Sequence, residues 1–356
     1  MNFHDSGILR EGLKKKGFSI SSSAAEADII IFNTCSVREH AEQKVFSDIG
    51  RVKGKTVVLA GCLATQVVKG GRKGKKTAPR LDFYFTPAEL NSIPDILAGG
   101  AGTRNGLPQP GSKNPDDASF NRDISEKTGT IKISEGCGNF CSYCIVPYVR
   151  GTEKPVLFDE IINSAKKIVK EGINDILLLG QNVNSYHSPD DPGKDFSYLL
   201  KSLSEIKGIK KIGFISPHPR DFNDKVIGLI AGNDKISKSI HLPLQSGSDK
   251  ILSSMKRGYT SKDYIALAER LRKACPDITL STDIIVGFPG ETDEDFNMTL
   301  SLLEKIGFNS IFGFKYSVRP FTEASNFPDD VPLEKKKERL QVLFEKQNMI
   351  VNKNRI

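Results

Sequence analysis

Six short apolar runs follow one another from the middle of the chain onward: GTIKIS from Gly129, DILLLG from Asp175, KIGFIS from Lys211, SIHLPL from Ser239, TLSTDIIVG from Thr279 and NSIFGFKYS from Asn309. Between them lie FDEIINSAKKIVKEG, SKDYIALAERLRKA and DEDFNMTLSLLEKIG, whose apolar residues recur at three and four, the spacing of one helix face. Strands that alternate with helices pair in parallel, because each crossover returns the chain to the same end of the sheet. Six consecutive βα units therefore predict a parallel sheet curving into a partial barrel, since a closed one needs eight.

The first part of the chain reads as a smaller domain of the same class. The runs ADIIIFN from Ala27 and KTVVLAGC from Lys55 alternate with amphipathic segments, giving a Rossmann-like α/β domain with a parallel sheet. They end in NTCS and GCLA, which puts Cys35 and Cys62 just past the carboxyl ends of two strands, where open α/β sheets place ligands. The segment AGGAGTRNGLPQPGSKNPDD, from Ala98 to Asp117, is too rich in Gly, Pro and charge to pack and reads as a linker. The expected division is 1–97 for the first domain, 98–125 for the linker, 126–330 for the barrel and 331–356 for a terminal helix. In that helix Leu333, Leu340, Leu343 and Phe344 share one side and a dense basic face takes the other.

The chain carries 51 Lys and Arg against 43 Asp and Glu, a formal charge of +8 that favours a polyanionic partner. The insert KGGRKGKKTAPR, ending at Arg80, could touch RNA phosphates, but a solvated loop is the plainer reading. No apolar run is long enough to span a membrane, and MNFHDSGILREGLKKKGF lacks the layout of a signal peptide. A cytoplasmic monomer without membrane attachment is expected.

Six cysteines in a long chain without a signal are too sparse for a disulfide scaffold. Three of them, Cys137, Cys141 and Cys144, sit in EGCGNFCSYCIVPYVRG immediately after the first barrel strand, at the face where active sites collect. Four close thiolates would make a closed site; three leave a coordination position open, as a catalytic centre needs. Zinc completed by His187, His218 or His241 is the alternative, although this spacing is not the paired CxxC of zinc ribbons.

CGNFCSYC at that position resembles the CxxxCxxC signature of radical S-adenosylmethionine enzymes. The resemblance implies a 4Fe-4S cluster on Cys137, Cys141 and Cys144, whose fourth iron binds the amine and carboxylate of S-adenosylmethionine (SAM). It also implies reductive cleavage of SAM to a 5′-deoxyadenosyl radical, and an aromatic at Tyr143 beside the adenine. NTCSVRE, GCLA, YCIVPYVRG, LLLGQNVNSY, SPHPRDF, HLPLQSGSD and DIIVGFPGET together resemble the methylthiotransferases. The nearest resemblance is to the tRNA-2-methylthio-N(6)-dimethylallyladenosine synthase family, and it covers nearly the whole chain.

That resemblance implies methylthiolation of carbon-2 of N(6)-isopentenyladenosine at tRNA position 37, with SAM as both radical source and methyl donor and an electron-donor protein as partner. It implies a second, auxiliary 4Fe-4S cluster on Cys35, Cys62 and a further cysteine expected just before the segment aligned with Met1. Cys275 is expected to be a buried structural residue instead. Gln181, Asn182, Gln245, Ser246 and Asp283 match segments lining the SAM pocket, while His218 and Arg220 match positions that face substrate. Family members usually end in a small RNA-binding TRAM β-barrel, and none is expected before Ile356. The rival readings are methylthiotransferases acting on a ribosomal-protein aspartate or on threonylcarbamoyl-adenosine tRNA and, from another class, a zinc-stabilised RNA-binding protein without catalysis.

Overall fold

The computed structural model describes residues 1–36, 39–70, 81–99, 121–122 and 128–353. The insert from 71 to 80 and most of the linker lie outside the described residues.

The chain opens with α1 (Asn2–Lys15), β1 (Ile29–Thr34), α2 (Glu39–Arg51), β2 (Thr56–Gly61), α3 (Cys62–Val68), β3 (Phe83–Phe85) and α4 (Ile93–Ala98). The strands form one parallel sheet in the order β1-β2-β3, with Thr34 opposite Gly61 at its carboxyl edge. Alternate side chains of β2 point to opposite faces, so each face takes its own helix layer. Val58 and Ala60 pack with Leu9 of α1 and Ile93 of α4, while Val57 and Leu59 pack with Ile49 of α2 and Leu63 of α3. This is the expected Rossmann-like layering.

The barrel follows as β4 (Asn121–Arg122), β5 (Thr128–Lys132), β6 (Ser134–Glu135), α5 (Val146–Arg150), β7 (Lys154–Pro155), α6 (Phe158–Lys170), β8 (Asp175–Leu179), α7 (Phe196–Glu205) and β9 (Lys211–Phe214). It continues through α8 (Asp224–Gly232), β10 (Ser239–His241), α9 (Asp249–Ser254), α10 (Ser261–Ala274), β11 (Thr279–Val286), α11 (Asp293–Ile306), β12 (Ser310–Lys315) and α12 (Leu333–Lys353). All six expected strands are present, as β5, β8, β9, β10, β11 and β12. Each pairs in parallel with its sequence neighbour except across β9 and β10, where the ladder breaks. One parallel bridge, Ile212 with Ile236, spans that seam just before β10 begins. The run SIHLPL is a strand only to His241, because Pro243 has no N–H to give a ladder and Gln245 turns to φ 76°.

Helix starts obey local rules: Thr260 with Asp263 and Thr292 with Asp295 form capping boxes on α10 and α11. The core runs between the helices and the outer faces of the strands, from Ile131 and Leu178 to Ile284 and Leu343.

Two expectations need correction. The linker ends earlier than residue 125, because Asn121 and Arg122 pair antiparallel with β5 and belong to the barrel sheet. The faces of α12 are also not divided as the apolar spacing suggests. Leu333 is 57% exposed and Phe344 40% exposed, whereas Lys336 and Arg339 are buried. Their stems cover apolar surface while Asp329 and Glu291 take the charges, so burial here follows ion pairing.

Candidate cluster and cofactor site

The cysteine loop leaves β6 through Gly136, whose φ of 81° suits glycine and whose place a Cβ could not share with the Thr152 carbonyl oxygen 2.2 Å away. Cys137 follows, its sulfur accepting the Asn139 N–H at 3.5 Å. Cys141 and Cys144 are joined by a turn, Cys144 N to Cys141 O at 2.9 Å. Ser142, between them, is fixed to the end of α9 through its N–H to Met255 O and its hydroxyl to Ser254 O. Burial pushes the Cys137 thiol up and carries Cys144 up to about 12, with Cys141 adding to both. Cys137 and Cys144 are therefore thiols in the metal-free loop, and metal binding releases their protons. Zinc needs its donors about 2.3 Å from a single point. Among the described residues no three His, Cys, Asp or Glu side chains are grouped to hold a metal ion. A cubane takes each thiolate at a separate iron.

Two loops at the carboxyl ends of β8 and β9 are laced together beside this one. Asn184 exchanges hydrogen bonds with the backbone of His218, and Asn182 Nδ2 donates to Asp221. The Asn182 Oδ1, Gln181 Oε1 and His218 Nε2 atoms are buried without a partner. His218 Nδ1 accepts the Arg220 N–H, so the proton sits on Nε2 and the ring is a donor. Burial holds its pKa down at about 3, keeping it neutral. Arg220 pairs with Asp221 and donates to Asn139 of the cysteine loop at 2.6 Å. These unpartnered buried atoms, two acceptors and a donor, fit a cofactor that carries both an amine and a carboxylate.

The other expected residues divide. Tyr143 packs among Ile251, Met255, Phe288 and Tyr316. Asp283 on β11 meets His241 at 3.2 Å, and its carbonyl accepts the Gln245 N–H. Ser246 is turned to α11, where its hydroxyl meets Thr299 at 3.5 Å and accepts the Ser248 N–H. Gly287, at φ 70°, is capped by the stem of Lys336, and its N–H is held by the carboxylate of Glu291, itself bound by Arg339. Sequence reading missed this support from α12, as it missed Arg257, whose Nη1 lies 3.3 Å from the Cys141 sulfur.

Cys35 and Cys62 stand at adjacent strand ends, as expected. Thr34 and Gly61 are register partners, and a Cβ on Gly61 would fall 2.6 Å from Thr34 O. Cys62, Ile145 and Val149 form one buried cluster, so α3 packs on the short helix that follows Cys144. Arg150 ends that helix, donating to Cys62 Sγ at 3.2 Å, Glu135 at 3.0 Å and Asp5 at 2.7 Å. Burial raises the pKa of the Cys62 thiol, against the pull of the neighbouring Arg150 guanidinium. Asn33 Oδ1, Ser36 Oγ and Gln66 Oε1 are buried and unpartnered around this edge. Cys275 is buried at the end of α10, bonded to Asp277, at the opposite end of the barrel strands from the trio.

Residues 131–303 match the Radical SAM superfamily, and residues 1–85 match the uncharacterized protein family UPF0004. A tRNA-2-methylthio-N(6)-dimethylallyladenosine synthase of Neisseria gonorrhoeae is 41% identical, the match covering 97% of this chain and 80% of that protein. The corresponding protein of Fusobacterium nucleatum is 39% identical over 98% of this chain and 81% of its own length. Among solved structures, the radical SAM methyltransferase TsrM of Kitasatospora setae superposes with a TM-score of 0.61 at 14% identity, covering 90% of this chain and 70% of that one. It shares the fold. The chain belongs to the tRNA-2-methylthio-N(6)-dimethylallyladenosine synthase family, within the radical SAM superfamily.

Proposed function

We propose that this chain methylthiolates carbon-2 of N(6)-isopentenyladenosine in tRNA, at position 37 beside the anticodon. The observation that carries the reading is the three-cysteine loop at the carboxyl edge of the barrel, in a chain that matches curated synthases over most of both lengths.

Cys137, Cys141 and Cys144 would hold the SAM-binding 4Fe-4S cluster. Gln181, Asn182 and His218 would meet the methionyl group with the atoms that have no protein partner. Tyr143 and the 283–291 segment would flank the nucleoside. The cluster and SAM together, when bound and reduced, would supply a carbon radical able to take hydrogen from the adenine ring. The chain's own part is to orient SAM and exclude water, with Arg220 tying the cysteine loop to the 216–222 loop so that the pocket keeps its shape. Cys35 and Cys62 would be ligands of an auxiliary cluster at the first domain's sheet edge, with Arg150 donating to the Cys62 sulfur. The domains would be 1–97, a linker ending before Asn121, the barrel to 330 and the terminal helix. The partners would be tRNA, met through phosphate contacts, and an electron-donor protein, for a monomer working in the cytoplasm.

The test is anaerobic incubation of the iron-loaded protein with reductant, SAM and isopentenylated tRNA, followed by nucleoside mass analysis. A methylthio product on the isopentenyladenosine is expected. Modification of threonylcarbamoyl-adenosine tRNA or a ribosomal-protein aspartate instead, or no product from protein with verified iron, would overturn the assignment.

A further inference from the structure

Arg257 follows α9 and is 95% buried, at 5% exposure. Its three nitrogens are all engaged: Nη1 with Cys141 Sγ at 3.3 Å, Nη2 with Pro243 O at 3.0 Å and Nε with Tyr259 Oη at 3.0 Å. The guanidinium carbon lies 5.3 Å from the Tyr259 ring centre. None of these partners is a carboxylate, and among the described residues none forms an ion pair with it. Arg150 makes the instructive contrast. It also donates to a cysteine sulfur, but Asp5 and Glu135 balance its charge whether or not anything is bound.

A guanidinium does not give up its proton in a protein, so Arg257 is a buried cation awaiting an anion. Burying a charge without a partner is costly. The anion must arrive at Cys141, and a cluster core bound by three thiolates carries net negative charge that grows when it takes up an electron.

We propose that Arg257 is the counter-charge of the barrel cluster, a positioning residue that fixes the Cys141 sulfur by a hydrogen bond and makes the cluster easier to reduce. The proposal rests on the reading that Cys137, Cys141 and Cys144 hold the cluster. The electron comes from a one-electron reductant, and Arg257 favours the state that has received it. Donors to cluster sulfurs are among the determinants of such potentials.

The test compares wild type, Arg257→Met and Arg257→Lys, loaded with iron and sulfide anaerobically and titrated with a chemical reductant while the reduced-cluster spin signal is followed. At the wild-type midpoint, Arg257→Met should show about a tenfold lower ratio of reduced to oxidised cluster, about 59 mV for one electron. Arg257→Lys, which keeps the charge but not the planar fork, should fall between. The metal-free proteins give a second readout: Arg257→Met should unfold at a temperature no lower than metal-free wild type, because it lacks the unbalanced charge. Failure of Arg257→Met to load iron, with that metal-free stability kept, supports the proposal. An unchanged midpoint in loaded Arg257→Met would overturn it. So would a metal-free Arg257→Met that melts several degrees early, since Arg257 would then be a structural prop for Pro243 and Tyr259. A SAM-sensitive cluster signal surviving Cys137→Ala, Cys141→Ala and Cys144→Ala together would overturn the cluster's placement and the counter-charge with it, whereas an unchanged midpoint overturns the counter-charge alone.

Discussion

Arg150 meets Cys62 across the boundary between the two domains, its Nε donating to the sulfur at 3.2 Å while its other nitrogens hold Asp5 and Glu135. The Arg150 and Asp5 side chains are 3% and 4% exposed. Removing one partner of such a pair strands the other charge, at about 3–5 kcal/mol. Arg150→Met should lose stability of that order in urea unfolding, and adding Asp5→Asn should recover part of it. If the two losses simply summed, the residues would not be coupled.

Gly136→Ala should both destabilise the protein and empty the cysteine loop. The positive φ alone costs about 1–3 kcal/mol for a residue with a side chain, and the Thr152 carbonyl stands in the way of the new methyl. Iron per chain after reconstitution should fall well below wild type; full loading at unchanged melting temperature would contradict the described turn.

His4 and His218 are both held down at about 3 by burial, against an ordinary value of 6.5. Each favours the neutral ring, so the unfolded chain binds more protons below pH 6.5. The stability they contribute is complete above that pH and is lost as pH falls from 6.5 towards 3. At pH 5 each should have cost about 2 kcal/mol. Urea unfolding at pH 7 and pH 5 should show a smaller acid loss for His218→Gln than for wild type; equal losses would mean the ring is not buried neutral.

The 287–291 turn is held from behind by α12, through Arg339 on Glu291 and Lys336 over Gly287. Arg339→Met should weaken SAM binding about tenfold, some 1.4 kcal/mol, with iron content unchanged. Calorimetric titration of the loaded protein checks it, and wild-type affinity would separate the turn from the cofactor.

The alternation of strand and helix was readable because each strand is bounded by polar turns and each helix shows one apolar stripe, so all six barrel strands could be placed. The three-cysteine loop was readable from spacing alone. The seam between β9 and β10 was not, since SIHLPL has strand composition throughout and only the backbone reveals where pairing stops. Nor were Lys336, Arg339, Arg150 and Arg257 readable as buried residues, because a charged residue in a sequence signals solvent until its partner is known. Asp329 lies near Lys336 in sequence, but Glu291, Asp5 and Cys141 are far from their arginines.

Glu42 of α2 and Arg319 beyond β12 form a second buried ion pair between the domains, side chains 7% and 6% exposed, so the first domain is tied to the barrel by charge near both the barrel's first and its last strand. Each half completes its ion pairs with the other, although Glu135 of the barrel also holds Arg150. Asp5 and Glu42 are contributed by one, Arg150 and Arg319 by the other, and separation would hydrate all four while exposing the apolar patch of Cys62, Ile145 and Val149. Folding is therefore a joint event for the two halves, expected as a single calorimetric transition in place of two.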